Sequence, residues 1–240
     1  MLACADPCAL QRVYLLLSRC THVHIAPTIQ VAEACKLVEN CQRDVNIALM
    51  NEISTALRQS GISTSAVLEA AATKWNFSPF TPGFVGGHCI PVDPHYMMAL
   101  NSLHDFPLLR AARRTNNTMP ARVASFISEA ISVGGSHLLI LGQTMKADVP
   151  DTRNALSGRF VEEMERLGHQ CTVSDALVGP CTPCQQCFHG VILLVAHQEY
   201  RTWSAAHVQS LLADSAGLVA DLAGAWRGLS FEETVRYWHL

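Results

Sequence analysis

Residues 134–142 read Gly-Gly-Ser-His-Leu-Leu-Ile-Leu-Gly, and the character of the chain changes there. Paired glycines interrupt what precedes them. His137–Leu141 is then a short apolar run closed by Gly142, a strand pattern. A charged loop follows (KADVPDTRN, 146–154), then an amphipathic helix over Leu156–Leu167 that Gly168 stops. Cys171–Val173 reads as the next strand, ending near Asp175. Val191–Ala196 is a continuous apolar run of the kind found in buried parallel strands. A helix over Ala205–Leu212 and a strand over Leu218–Ala220 complete the alternation. Strands alternating with helices predict an α/β unit built on a parallel, doubly wound sheet. Such sheets bind ligands beyond the carboxyl ends of their strands, which is where the loop 142–154 lies.

Upstream, the pattern is helical. No glycine or proline occurs from Thr28 to Ser60. Val31, Ala34, Cys35, Val38, Cys41, Val45, Ala48, Leu49 and Ile53 recur at spacings of three and four. A helix of that length measures about 50 Å, more than a small domain is wide, so it calls for a packing partner, either a helix pair or a second subunit. Gly61 is its stop, and Thr64/Ser65 can cap a second helix through Thr73. Further helices are expected over Tyr96–Leu103, Leu108–Asn117 and Ala121–Val133, with Pro120 at the first turn of the last. Residues 1–26 carry only one short apolar run, Val13–Leu17.

Between the helices stands FTPGFVGGHCIPVDP, residues 80–94. Its three glycines and three nearby prolines exclude a regular helix and make a shaped loop whose backbone can approach another molecule. A thiol at its centre, Cys89, fits a nucleophile beside a bound substrate. It fits equally a tight turn around a small buried thiol.

The 240 residues carry a net charge of −3 and are 49% hydrophobic, enough for one large or two small cores. With no basic patch, a nucleic-acid surface is not expected. The longest apolar run, Val191–Ala196, is too short to span a bilayer, so no membrane partner is expected. The first twelve residues lack the order of a signal peptide, and the ten cysteines read as reduced thiols of the cytoplasm. Cys181, Cys184, Cys187 and His189 have the spacing of zinc or iron–sulfur ligands. They fall in a loop where variation is tolerated, and no metal is expected. His88, alone in a glycine turn, reads as a hydrogen-bonding residue rather than a metal ligand.

Residues 86–94, GGHCIPVDP, resemble the catalytic loop of the UDP-glucose/GDP-mannose dehydrogenase family, in the form of its UDP-N-acetyl-hexosamine 6-dehydrogenase branch. Residues 31–52 resemble the family's central helix, and LLRAARRTNN (108–117) the segment closing its helical domain. LGQTMKADVPDTRN (141–154) and VILLVAHQEYR (191–201) resemble parts of its C-terminal domain. The resemblance implies a central all-helical dimerisation domain followed by a Rossmann-like UDP-binding domain. The divisions expected are 1–26, the remnant of an N-terminal NAD-binding domain; 27–120, the helical domain with the loop; and 121–240, the UDP-sugar-binding domain. It departs in one respect: no G-x-G-x-x-G occurs, and about 26 residues precede the central helix, where an NAD-binding domain needs on the order of 150. The chain is therefore read as the C-terminal part of such an enzyme.

The family reaction oxidises a sugar C6 alcohol to a carboxylate with two NAD⁺ and one water. By resemblance Cys89 forms the thiohemiacetal and thioester. Lys36 steadies the alkoxide, Asn40 holds water or the oxyanion, and Asp93 handles the proton or orients the water. Phe80, Gly83, Gly86 and Gly87 wrap the substrate, Lys146 contacts the sugar nucleotide, and Arg153 reaches NAD. The partners implied are a UDP-sugar and a second copy through the central helix. Asn51 and Glu52 are assigned to the interface or to core hydrogen bonding. Two other readings stand beside the enzymatic one: a dimerising UDP-sugar-binding remnant without catalysis, and a thiol-dependent regulator built on the cysteine tract.

Overall fold

The computed structural model describes residues 1–101, 103–131, 135–179, 188–213 and 216–240. The expected metal-like tract, Cys181, Cys184 and Cys187, lies outside them. Helix α1 (Pro7–Leu17) starts on an Asp6 cap and has no buried residue. Helix α2 (Ile29–Gln59) runs as one 31-residue rod, as the periodicity predicts. The Thr28 hydroxyl caps it by accepting from Val31 N–H at 3.1 Å. Helices α3 (Thr64–Ala72) and α4 (Asp93–Leu100) flank the cysteine loop. Helix α5 (Pro107–Ile131) corrects the expectation of two helices: it passes through Pro120 without a break.

The α/β unit follows in order: β1 (His137–Leu141), α6 (Ser157–Arg166), β2 (Gln170–Ser174), β3 (Gly190–Leu193), α7 (Gln198–Arg201), α8 (Ala205–Ser210), β4 (Leu218–Asp221) and β5 (Arg236–His239). All four pairings are parallel, in the order β2-β1-β3-β4-β5. Strand β5 and the short α7 carry no periodic signal in sequence.

Period-two alternation explains the continuous apolar strands. Leu138 and Ile140 join Val123, Ile127, Phe160 and Met164 on one face. Leu139 and Leu141 join Val191, Tyr200, Val208 and Trp226 on the other. Both faces are covered, so alternate residues enter opposite cores. Each fully buried Leu or Ile contributes about 1.5–3 kcal/mol of transfer free energy.

Helix α5 joins the two units. Its first half lies against α2 through Arg113 and Asn116, and its second half enters the core with β1 and α6. A second tie comes from the end of α2. The Arg58 guanidinium lies 4.3 Å from the Trp238 ring centroid, and its Nη2 donates to His239 C=O at 2.9 Å.

Candidate active site

The cysteine loop reaches its shape through four attachments. At its start, Gly83 is bound to Asn51 of α2: its N–H donates to Oδ1 at 2.8 Å and its C=O accepts from Nδ2 at 3.1 Å. In the middle, Gly87 N–H donates to Asn154 C=O at 3.2 Å. A Cβ on Gly86 would stand 2.7 Å from that same carbonyl oxygen, and Gly87 has φ +90°. Here glycine is required by close approach of two backbones. At its end, the Cys89 carbonyl accepts from the N–H groups of Val92 and Asp93, which starts α4. Asp93 is fixed by Asn40, whose Nδ2 donates to Oδ2 at 2.5 Å.

Cys89 is exposed, four residues before Asp93 starts α4. The structure thus brings Cys89, Asp93 and Asn40 together, with Gly83, Gly86 and Gly87 shaping the same loop. Lys36 is exposed one turn before Asn40 on α2, on the same side of the helix. Phe80 stands apart from this group and lines a groove beside α3 with Leu68 and Arg227.

The loop rests on the carboxyl edge of the sheet. A 100 Å³ cavity between them is lined by Gly83, Phe84 and Gly86 on one side and Thr144, Leu194 and Leu222 on the other. Asp175, at the end of β2, organises that edge. Its Oδ2 accepts from Gln143 N–H at 2.6 Å and faces His197 Nε2 at 3.1 Å; its Oδ1 accepts from Leu177 N–H at 2.8 Å. Burial pushes this carboxyl up, but those hydrogen bonds outweigh it and hold it below the usual carboxylate range. Asp148 N–H donates to His197 Nδ1 at 3.0 Å, so the neutral imidazole carries its proton on Nε2, toward Asp175.

The loop 142–154 returns to the cysteine loop through a second polar chain. Arg153 Nη2 donates to Asp151 Oδ2 at 2.8 Å, and His88 Nε2 lies 3.2 Å from the same oxygen. The Arg153 bond, the Arg153 N–H and His88 hold the Asp151 carboxyl well below the usual range. Arg153 itself remains three-quarters exposed. Lys146 is exposed on this loop. Next to it all, a 520 Å³ cleft separates α4 and α5 from the start of α6, lined by Pro91, His95, Arg113, Asn117, Asn154 and Arg159.

The expected core hydrogen bonding of Asn51 and Glu52 is present, Asn51 with Asn116 and Glu52 with Thr115, but Asp44, Arg113 and Asn116 behind it were not singled out in the sequence. Asp44 is fully buried and takes Arg113 Nη1 at 2.5 Å and Asn116 Nδ2 at 2.7 Å. Burial raises the Asp44 carboxyl, and Arg113 beside it pulls the other way. Burial also pushes the neighbouring Cys41 thiol up, as do the Asp44 and Asp93 carboxylates. The signal was present as a stripe: Asn40, Asp44 and Asn51 recur at helical spacing on α2.

Fold and loop together define a class: two-unit proteins in which a helical unit seats a cysteine loop over the carboxyl edge of a parallel sheet. Comparison with known proteins makes the class specific. Residues 30–118 match the central domain of the UDP-glucose/GDP-mannose dehydrogenase family. The chain is 41% identical over 207 residues to the UDP-N-acetyl-D-glucosamine 6-dehydrogenase of Pseudomonas aeruginosa, covering 78% of this chain and 49% of that protein. It is 45% identical over 156 residues to the enzyme of the same name from Salmonella typhi, covering 62% and 36%. The solved structure of UDP-D-ManNAc dehydrogenase from Pyrococcus horikoshii superposes with a TM-score of 0.79 at 26% identity, over 95% of this chain and 57% of that one. The chain belongs to the UDP-glucose/GDP-mannose dehydrogenase family. It spans about half the length of the curated relatives it matches.

Proposed function

We propose that the chain carries the substrate half of an NAD-dependent nucleotide-sugar 6-dehydrogenase, acting on a UDP-N-acetyl-hexosamine. The observation that carries the proposal is the Cys89–Asp93–Asn40 cluster, held against the carboxyl edge of the parallel sheet. The names of the relatives supply the substrate class.

In this reading the sugar nucleotide lies between the loop 83–87 and the sheet edge, with Gly83, Gly86 and Gly87 along it and Lys146 facing its charged groups; Phe80, which lines the groove beside α3, falls outside it. The C6 aldehyde meets Cys89. Sulfur adds to the carbonyl carbon, and a thiohemiacetal forms as the oxygen takes a proton. Its oxidation leaves a thioester, and water cleaves the C–S bond to give the carboxylate and the free thiol. Lys36 steadies charge on the oxygen. Asn40 orients Asp93, and Asp93 accepts a proton from the attacking water. NAD, when bound, supplies the hydride acceptor for both oxidations. Arg153 fits an edge of its site, because its guanidinium is anchored by Asp151 yet exposed.

The division follows the same logic: residues 1–26 as the tail of an NAD-binding domain, 27–120 as the helical dimerisation unit, and 121–240 as the UDP-binding unit, with α5 shared. Val31, Val38 and Leu49 of α2 are each close to half exposed, an apolar edge that a second copy would cover. Among the described residues no helix is long and apolar enough to cross a membrane, and all seven described cysteines are free, which supports a cytoplasmic enzyme. The product class, a uronic acid on a nucleotide carrier, suits polysaccharide biosynthesis.

Titration of the chain with UDP-N-acetyl-D-glucosamine tests the proposal: saturable binding is expected, with no NADH from this chain alone and two NADH per acid formed once an NAD-binding domain of the family is supplied. Saturable binding with no NADH even then assigns the chain as a UDP-sugar-binding remnant, and no binding of any UDP-N-acetyl-hexosamine removes the proposal.

A further inference from the structure

Both ends of the cysteine loop are held by one stripe of α2. Asn40 takes the far end through Asp93. Eleven residues on, three turns along the same face and about 16 Å away, Asn51 takes the near end. Asn51 is fully buried, and its single amide grips both peptide groups of a single residue, accepting from Gly83 N–H and donating to Gly83 C=O. Gly83 has nothing within 4 Å of where a Cβ would stand, so sterics do not hold it there; the amide does.

The direction of that amide is determined from behind. Asn51 Nδ2 also donates to Asn116 Oδ1 at 2.9 Å. Asn116 cannot turn round, because its own Nδ2 donates to Asp44 Oδ1 at 2.7 Å and Asp44 C=O at 3.0 Å, both acceptors only. Asp44 is in turn set by Arg113. A reversed Asn51 would place oxygen against two oxygens and an N–H against an N–H. Nothing in this chain of bonds is exchangeable without leaving a buried group unpaired.

We propose that Asn51 is a positioning residue for Cys89. By fixing Gly83, it sets how Phe84–Gly87 lie on the loop 142–154 and hence where the thiol stands over the sheet edge. This rests on the reading of Cys89 as the nucleophile, but its test does not use turnover.

The test labels the full chain with iodoacetamide, without substrate, and follows Cys89 against the exposed Cys20 of the same molecules by peptide mass spectrometry. Asn51→Asp keeps the shape and the acceptor but turns the donor of two bonds into a second acceptor; Asn51→Ala removes all three bonds. The Cys89/Cys20 ratio is expected to rise at least about fivefold in each, the factor a single lost net hydrogen bond confers. Val208→Ala, a core cavity on the other face of the sheet, is expected to leave the ratio unchanged. An unchanged ratio in the Asn51 variants, or an equal change in Val208→Ala, overturns the proposal. Should the Asn51 variants fail to fold, hydrogen exchange on the unaltered chain decides. Gly83 N–H is then expected to exchange more slowly than the Thr81 amide, and equal rates overturn the proposal.

Discussion

At the scale of residues, the loop 80–94 was legible because its chemistry is local. Gly86 is required by the close approach of two backbones and Gly87 by its φ of +90°, and the thiol follows two residues later. That Asn40 would meet the end of this loop was legible only through resemblance, since nothing in the spacing of α2 says that Asp93, 53 residues on, will accept from it. The polar bonds from Asn40 to Asp93 and from Asn51 to Gly83 span 53 and 32 residues. Such pairings are properties of the packed helices. One prediction belongs here. In an assembly that turns over, Cys89→Ser abolishes release of the acid while leaving the affinity for UDP-sugar within about threefold, since the change removes one sulfur and no binding group. Mass spectrometry of products, with calorimetric binding alongside, checks it. Acid released at the parental rate assigns the nucleophile elsewhere.

At the scale of elements, α2 shows why helical periodicity predicted the element and only part of its buried face. Of the periodic apolar positions Cys41 and Ala48 are buried, but Val31, Val38 and Leu49 are exposed, and Asn40, Asp44 and Asn51 share the buried face. That face is mixed, with hydrogen-bonded polar side chains beside small apolar ones. The strands were easier, because β1, β3 and β4 are covered on both faces and are apolar apart from His137 and Asp221 at their ends. Strand β5 was not legible: Arg236–His239 is an edge strand of one exposed, two half-buried and one buried residue, with no apolar run. The buried ion pair gives the element-scale prediction. Arg113→Ala leaves the Asp44 carboxylate buried without its cation and costs about 3–5 kcal/mol. Replacing both, as Asp44→Leu with Arg113→Met, costs less than the single change. Urea denaturation of the three chains checks the order; a single variant as stable as the parent contradicts the role given to the pair.

At the scale of the whole molecule, the two units were legible from the change of pattern at Gly134–Gly135, but their joining was not. Helix α5 crosses the expected boundary because Pro120 removes one N–H from a ladder that neighbouring packing sustains. The cores make the fold sensitive to alkali. Burial raises the Cys171 thiol from 9.0 to about 11 and the Tyr200 phenol from 10.0 to about 12. Burial and the Asp221 carboxylate push Tyr237 higher still. The unfolded chain releases these protons first, so the stability they confer is complete below about pH 9 and is lost as pH rises to about 12. Melting temperatures across that interval check the sign, and Tyr200→Phe removes its share of the fall.

In the proposed joint site the cysteine loop and the sheet's carboxyl edge close on the same sugar nucleotide. The direct measurement is alkylation of Cys89 in the full chain as UDP-N-acetyl-D-glucosamine is raised, with the exposed Cys20 as internal reference. Saturable protection of Cys89, with Cys20 unaffected, is the predicted result. Equal labelling of Cys89 at every concentration, for this and the other UDP-N-acetyl-hexosamines, would contradict it.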